Sequence, residues 1–316
     1  QGEEQRRGDQ APEGGASTRV RAYCSSANLG PGYDLMGVAL DAFHDVVEVE
    51  LSSGRGEARV VEVSGPYSSS VPLGELNSAA EAARAALRMA EQRLDASIRI
   101  WKGVPPRRGL GSSGASAAAT VRAIDEMLGG LLDDEDLVKA ASEGERITSG
   151  SPHADNVAPS LLGGLVVLGS RIVRFKPDFE FLLLIPWVEV PEEKTRYMRS
   201  VIPKEVPLES FLSHCSHLSR LLLGLTLGDA KLFGEGMSYS FVDEVRAGLI
   251  PGLNELREEA MRSGALGVSL SGAGPTLIAL CEDCEALSRR MRERCRELSV
   301  PVTILGAALA EGASPL

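Results

Sequence analysis

Between Gly109 and Ser116 the chain places three glycines and three serines in eight residues, Gly-Leu-Gly-Ser-Ser-Gly-Ala-Ser, and strong helix formers follow from Ala117 to Met127. Glycine permits positive φ and lets a backbone approach an anion with no Cβ in the way. The helix behind such a loop begins with four N–H groups that have no intrahelical partner, and carries partial positive charge at that end. Loop and helix start together make a phosphate cradle, led into by Pro105, Pro106, Arg107 and Arg108. By letters alone the loop has other readings. Gly109-x-Gly111-x-x-Gly114 matches a dinucleotide fingerprint, which also requires a strand running into it and an acidic residue about twenty positions on. Here Gly129-Gly130-Leu131-Leu132-Asp133 stands at that distance and reads as a helix end. A Walker A loop is excluded, because no Lys-Ser/Thr follows Gly114. The plainest alternative is a turn that caps a helix, with Ser112 or Ser113 as N-cap.

Other clusters have side chains that could serve a bound phosphate or its acceptor. Asn28 and Asp34 lie in Ser25-Ser26-Ala27-Asn28-Leu29-Gly30-Pro31-Gly32-Tyr33-Asp34, a stretch equally suited to plain turn chemistry. Glu145 precedes Ser149-Gly150-Ser151-Pro152-His153-Ala154-Asp155-Asn156. A carboxylate beside a phosphate loop suits Mg²⁺, which takes oxygen ligands; read alone, Glu145 fits a solvated helix face. His153, Asp155 and Asn156 gather three polar side chains immediately before an apolar run, an arrangement in which function commonly sits. Cys281-x-x-Cys284 lacks a second pair at zinc spacing, and His214 and His217, neighbours on a helix, lack further ligands. Both argue against a transition-metal site.

These loops need a framework, and the 316 residues suffice for two domains. Apolar residues make up 43% and charged residues 24%, the balance of a soluble globular protein. A formal net charge of −11 argues against nucleic acid as partner and requires local cations or Mg²⁺ wherever a triphosphate binds. No apolar run is long enough for a membrane span, and the polar N-terminus has no signal-peptide pattern, so a cytoplasmic protein without membrane partners is expected.

Residues 1–18 read as a disordered tail, polar and without periodicity. Strands are predicted at 20–24, 38–40, 45–51, 58–63 and 97–101, and helices at 79–94, 113–128 and 133–147. The stretch 45–51 alternates Val47, Val49 and Leu51 against Glu48 and Glu50. Strands at 164–168 and 181–185 flank a charged link, 171–178, where a boundary is placed, giving domains 19–175 and 176–316. Helices at 208–224, 226–238, 251–263 and 283–297 and strands at 268–271, 276–281 and 301–307 complete an α+β layer sandwich.

Three motifs resemble those of the GHMP small-molecule kinases. They are Ser26-Ala27-Asn28-Leu29-Gly30-Pro31-Gly32-Tyr33-Asp34, Pro105-x-x-x-Gly109-Leu110-Gly111-Ser112-Ser113 and Ser271-Gly272-Ala273-Gly274-Pro275-Thr276. The first motif, with His153-Ala154-Asp155-Asn156-Val157-Ala158-Pro159 and Gly163-Gly164, is similar to the homoserine kinase family in particular. Thr195-x-x-x-Arg199-x-x-x-Pro203 and Arg246-x-x-Leu249-Ile250-Pro251-Gly252 strengthen the likeness, which covers about residues 18–312. The chain departs from the family pattern at Arg107-Arg108, Gly114, Tyr33 and Val245, without losing a functional side chain.

The resemblance implies a two-domain fold, an N-terminal α/β domain like ribosomal protein S5 and a ferredoxin-like C-terminal sandwich. It implies ATP held by Asn77, by Pro105 to Ser116 (Pro105, Pro106, Arg107, Arg108, Gly109, Leu110, Gly111, Ser112, Ser113, Gly114, Ala115 and Ser116), and by Gly272 and Gly274. It implies Mg²⁺ on Ser113 and Glu145. The implied substrate is L-homoserine, its carboxylate on Arg199 and Arg246, its ammonium on Asp34, and its hydroxyl and backbone held by Asn28, His153 and Asn156. The implied reaction is direct γ-phosphoryl transfer to the hydroxyl without a dedicated base, Asn156 orienting the acceptor. A homodimer is also expected.

Overall fold

The computed structural model describes residues 17–150, 152–189, 193–297 and 301–316, leaving the side chains of 148 and 149 aside. Of the expected tail, residues 1–16 lie outside the described residues, whereas Ser17 and Thr18 open the first strand.

The first layer is a seven-stranded sheet ordered β11-β1-β2-β4-β3, with β5 and β6 continuing beside β2. Its strands are β1 (Ser17–Ala27), β2 (Met36–Ser53), β3 (Ala58–Ser64), β4 (Leu94–Trp101), β5 (Leu165–Leu168), β6 (Ile172–Phe175) and β11 (Ser314–Pro315). The two strands expected at 38–40 and 45–51 are one strand, β2, whose register against β1 shifts between Tyr23 and Cys24. Val47, Val49 and Leu51 are buried, as their alternation requires. Helices α1 (Ser78–Met89), α2 (Ser112–Met127), α3 (Asp134–Ser149) and α4 (Val157–Leu162) accompany this sheet. The first two are rich in alanine and bury nearly their whole circumference, which lets α1, α2 and α3 pack closely against one another. α1 ends at Met89 rather than 94, because the chain turns through Glu91 at φ 55° and Leu94 already begins β4.

The second layer is a four-stranded antiparallel sheet ordered β10-β7-β9-β8, from β7 (Glu180–Pro186), β8 (Gly267–Leu270), β9 (Leu277–Cys281) and β10 (Val302–Ala308). Its helices are α5 (Lys194–Ser200), α6 (Leu208–Leu227), α7 (Ala230–Met237), α8 (Phe241–Ala247), α9 (Leu253–Arg262) and α10 (Cys284–Glu297). Phe181, Leu183 and Ile185 on β7 point into the same core as the first sheet, while Leu182 and Leu184 face a second core with α9 and α10. The strand pattern thus joins the two layers through alternate residues of one strand.

β6 occupies part of the charged link read as a boundary, and residues after β10 return to the first sheet. Leu309 bridges Leu40, Glu311 bridges Gly163, and β11 pairs with β1. Cys281 and Cys284 form a disulfide where β9 meets α10, an outcome the spacing alone did not predict. None of the helices described is long and apolar enough to cross a membrane.

Candidate active site

The phosphate loop reaches α2 through two left-handed glycines, Gly109 at φ 79° and Gly111 at φ 62°. A Cβ on Gly111 would stand 2.0 Å from Ser25 Oγ, and one on Gly109 2.2 Å from the carbonyl of Ser271. Both positions therefore need glycine for conformation and for room. The N-cap is Gly111, with no side-chain cap; neither serine caps the helix. Ser112 is already helical, and its hydroxyl donates to the carbonyl of Val104 at 2.9 Å. With no side chain over it, the first turn of α2 leaves its N–H groups for a ligand.

Beneath the loop lies a buried polar knot that the sequence reading missed. Lys102 Nζ donates to Asp45 Oδ2 at 2.5 Å, to the carbonyl of Ser112 at 2.6 Å and to Ser116 Oγ at 2.7 Å. The Ser116 hydroxyl in turn donates to Asp45 Oδ2, and Asp45 Oδ1 accepts the N–H groups of Gly103 and Val104. Ser116, expected at the nucleotide, lines the cleft and also fixes the start of α2 to the end of β4. Asp45 interrupts an apolar strand, and Lys102 stands just before the loop; a charged pair at those two places was the available signal.

The loop opens onto a cleft of 650 Å³ whose walls include Pro106, Arg107, Gly109 to Ser113, Asn77, Glu145, Asn156 and Gly272. Pro105, Arg108, Gly114, Ala115 and Gly274 do not line it. Arg108 stacks over Trp187 and donates to the carbonyls of Pro186 and Val188, so its charge straps the loop to the second sheet. Asn77 caps α1: its Oδ1 accepts from the N–H of Ala79 and its Nδ2 donates to the carbonyl of Pro72. Ser113 and the largely buried Glu145 both line the cleft. This hydroxyl and carboxylate fit a hard cation that keeps waters and phosphate oxygens as its other ligands. No cluster of three or more His, Cys, Asp or Glu able to hold a metal occurs among the described residues, the two histidines of α6 included.

Lys194, at the start of α5, is the other residue not foreseen. It is buried on the cleft wall and donates to the carbonyl of Arg107 at 3.0 Å and to that of Gly274, tying the two glycine loops together. Burial, then the charges of Arg108, Arg246 and Arg107, lower its ammonium to about 7. Ser271 completes the seam, its hydroxyl donating to the carbonyl of Gly109 at 2.6 Å.

Gly272 carries this seam to the other polar cluster. Its carbonyl accepts from Asn28 Nδ2 at 3.1 Å and from Arg246 Nη1 at 3.3 Å. Asn28 and Asp34 both hold left-handed backbone, φ 78° and 58°, and Asn28 Oδ1 accepts the N–H of Asp34. The turn reading and the site reading of these residues thus describe one loop. Arg199 forms a two-pronged pair with Asp34, at 2.9 and 2.8 Å, and its Nη2 lies 3.4 Å from His153 Nδ1. Arg199 and Arg246 both stack on the ring of Tyr33. Burial lowers the Arg246 guanidinium; at Arg199 burial also acts to lower it, but the bond to Asp34 together with the charges of Asp34, Tyr33 and Asp155 outweighs burial and raises it. Burial and Arg199 lower His153, favouring the neutral ring.

Asn156 stands between the clusters. Its Oδ1 accepts from Ser25 Oγ at 3.1 Å, and its side chain lies against the loop at Gly111 and Gly114. Asp155 is buried beside it; desolvation, then the charges of Asp34 and Glu145, raise its carboxyl to about 7. Two guanidinium groups and a carboxylate thus gather within one side chain of a phosphate cradle. That is the layout of a small-molecule phosphotransferase.

Comparison with known proteins gives the class a name. The chain belongs to the GHMP kinases, whose N-terminal domain model matches residues 77–164 and whose C-terminal model matches 221–297. The particular relatives are homoserine kinases. That of Aeropyrum pernix is 43% identical over 306 residues, covering 94% of this chain and 97% of its own. That of Sulfurisphaera tokodaii is 40% identical over 265 residues, covering 82% and 85%. Among solved structures, homoserine kinase from Cytophaga hutchinsonii superposes with a TM-score of 0.85 at 30% identity, covering 95% of this chain and 97% of its own.

Proposed function

We propose that this chain is a homoserine kinase: it transfers the γ-phosphoryl group of ATP to the side-chain hydroxyl of L-homoserine, giving O-phospho-L-homoserine and ADP on the route to threonine. The observation that carries this reading is the Gly272 carbonyl, which joins the phosphate cradle to the Asn28–Asp34–Arg199–Arg246 cluster. A zwitterion matches that cluster charge for charge. Its carboxylate takes donors from Arg199 and Arg246, and its ammonium takes Asp34. Mevalonate and shikimate bring no ammonium and leave Asp34 without a ligand partner.

In the transfer, the acceptor oxygen bonds to the γ-phosphorus as the bond to the β-bridging oxygen breaks, and ADP leaves with that electron pair. The hydroxyl proton leaves to solvent or phosphate oxygen, since the transition state is loose and places little demand on a base. Asn156 orients the hydroxyl, held by Ser25, while Asn28 and His153 hold the body of the substrate. The N–H groups of the loop and of α2 stabilise charge on the phosphates, and positioning supplies the larger share of the rate. Ser113 and Glu145 would hold Mg²⁺, which when bound neutralises charge on the β- and γ-phosphate oxygens. A cytoplasmic setting belongs to the proposal, because ATP is the donor.

The test is ADP release with homoserine, serine, mevalonate and shikimate side by side. Turnover of homoserine at least about a hundredfold above mevalonate and shikimate, in kcat/KM, is expected from the loss of the ammonium's pair with Asp34, and serine, which keeps both charges, should fall below homoserine because its hydroxyl stands one methylene short of the phosphate. Equal turnover of mevalonate or shikimate would refute the assignment.

A further inference from the structure

The chain buries two lysines, Lys102 and Lys194, each 2% exposed. They differ in what surrounds the charge. Lys102 Nζ lies 2.5 Å from Asp45 Oδ2. Lys194 makes no ion pair with a described carboxylate, and the charges that act on it are those of Arg108, Arg246 and Arg107, all of its own sign. An ammonium taken out of water needs an opposite charge as well as acceptors. Around Lys194 the described residues supply acceptors and no acid.

Joining the two glycine loops does not require that charge. The Ser271 hydroxyl already donates to the Gly109 carbonyl at 2.6 Å, and the N–H of Thr276 donates to the carbonyl of Arg108 at 3.3 Å. Both are neutral bonds across the same seam. A further tie of that kind could come from a hydroxyl or an amide, whose burial costs far less than that of an ammonium. The position of Lys194 gives the charge a use. It stands on the wall of the 650 Å³ cleft, which Gly109 to Ser113 and so the first turn of α2 also line. The carbonyls of Arg107 and Gly274 take two of its three hydrogens, which leaves one for a ligand. The carboxylate of an amino-acid acceptor is not the anion in reach, because Asp34, Arg199 and Arg246 do not line this cleft.

We infer that Lys194 is a direct ligand of the nucleotide's phosphate chain: its third N–H goes to a phosphate oxygen, and the triphosphate is the counter-ion of this buried ammonium. The inference rests on the reading of the chain as an ATP-dependent kinase, and not on which alcohol accepts the phosphoryl group. A chain of net charge −11 needs local cations where a triphosphate sits, and a lysine already stripped of water binds phosphate with little further desolvation. The placement also links donor to acceptor. Lys194 is the first residue of α5 and Arg199 the sixth, and the carbonyl of Met198 between them accepts from Arg246 Nε at 3.0 Å. One short helix thus carries the cation for the phosphates and a cation for the acceptor's carboxylate, so seating the nucleotide fixes the piece that grips the acceptor.

Equilibrium titration of the full chain without any acceptor, with circular dichroism as a check on folding, tests this. Lys194→Gln keeps an amide with two N–H groups for the carbonyls and removes the charge; Lys194→Met removes both. The probes are MgATP, inorganic tripolyphosphate and adenosine, the last two read by displacement of a fluorescent ATP analogue. Both variants are expected to bind MgATP and tripolyphosphate at least about thirtyfold more weakly than the wild type, and adenosine within about twofold of it. A residue that only ties the loops would give a different pattern: adenosine would lose as much as MgATP, and Lys194→Gln would recover most of what Lys194→Met loses. Either of those results in a folded variant overturns the inference, and where Lys194→Met does not fold, Lys194→Gln decides. A wild type that does not bind MgATP overturns this inference and the kinase reading together. A wild type that shows these losses and does not phosphorylate homoserine upholds the inference and overturns the choice of acceptor alone.

Discussion

Asp34→Asn keeps the shape of the side chain and removes its charge. In the structure Asp34 and Arg199 satisfy each other through two bonds of 2.8 and 2.9 Å, with side chains 32% and 30% exposed. The substrate must insert its ammonium against Asp34 and its carboxylate against Arg199, replacing one ion pair by two. Removing one member of a desolvated charge pair costs about 2–5 kcal/mol, and partial exposure sets the lower end here, about 2–3 kcal/mol. At 1.4 kcal/mol per tenfold, homoserine should bind about 30- to 150-fold more weakly. The KM for ATP should not move, because Asp34 does not line the phosphate cleft. The discriminating ligand is 4-hydroxybutyrate, which keeps carboxylate and hydroxyl and lacks the amine. Its affinity should be unchanged or improved in Asp34→Asn, since Arg199 is released to the carboxylate. Calorimetric titration of both ligands reads this directly. Equal losses for the two ligands, or none for homoserine, would refute the assignment of Asp34 to the ammonium.

Lys102→Met leaves Asp45 charged and buried without its cation, at a cost of about 3–5 kcal/mol. The urea midpoint should fall, and adding Asp45→Asn should recover part of the loss. Gly111→Ala forces a left-handed alanine, about 1–2 kcal/mol, and a methyl into Ser25 Oγ. ATP affinity should drop more than about tenfold, and Ser25→Ala should restore only the steric share. For Lys194 the native pKa lies near 7, below the ordinary 10.5, so between these values the unfolded chain binds more protons. This group therefore makes stability rise with pH across that window. Lys194→Met should flatten the rise and weaken ATP binding, as the Arg107 and Gly274 carbonyls lose their tie; an unaltered pH–stability curve would rule out the buried ammonium as its source.

Much of the fold was legible because its signals are local. The alternation of β2 and the Gly/Ser loop before α2 declare themselves within a few residues. What escaped depends on distant partners. Four-residue β6 sits inside a charged link and exists through pairing with β5, and the six-residue α4 and seven-residue α8 are too short to show a period. At the site, motif order pointed to the loop and to the cluster around Arg199, yet side-chain roles within the loop divided. Arg108 turned away from the cleft to the Pro186 carbonyl, 78 residues away, and Ser116, on the cleft wall, is also tied to Asp45, 71 away. Lys194 carries no motif; only the meeting of two glycine loops gives it a task.

The segment after Ala308 has a consequence for how the chain matures. Its backbone joins Ala39 through Ala310 and Arg19 through Leu316, on the sheet begun nearly three hundred residues earlier, and Leu161 of α4 through Ala313. During synthesis the outer border of β1 stays open until these residues emerge, long after the phosphate loop has left the ribosome. Nucleotide binding by nascent chains should therefore lag behind translation of the loop itself, and a stop at 308 would leave that border free to pair with a neighbour.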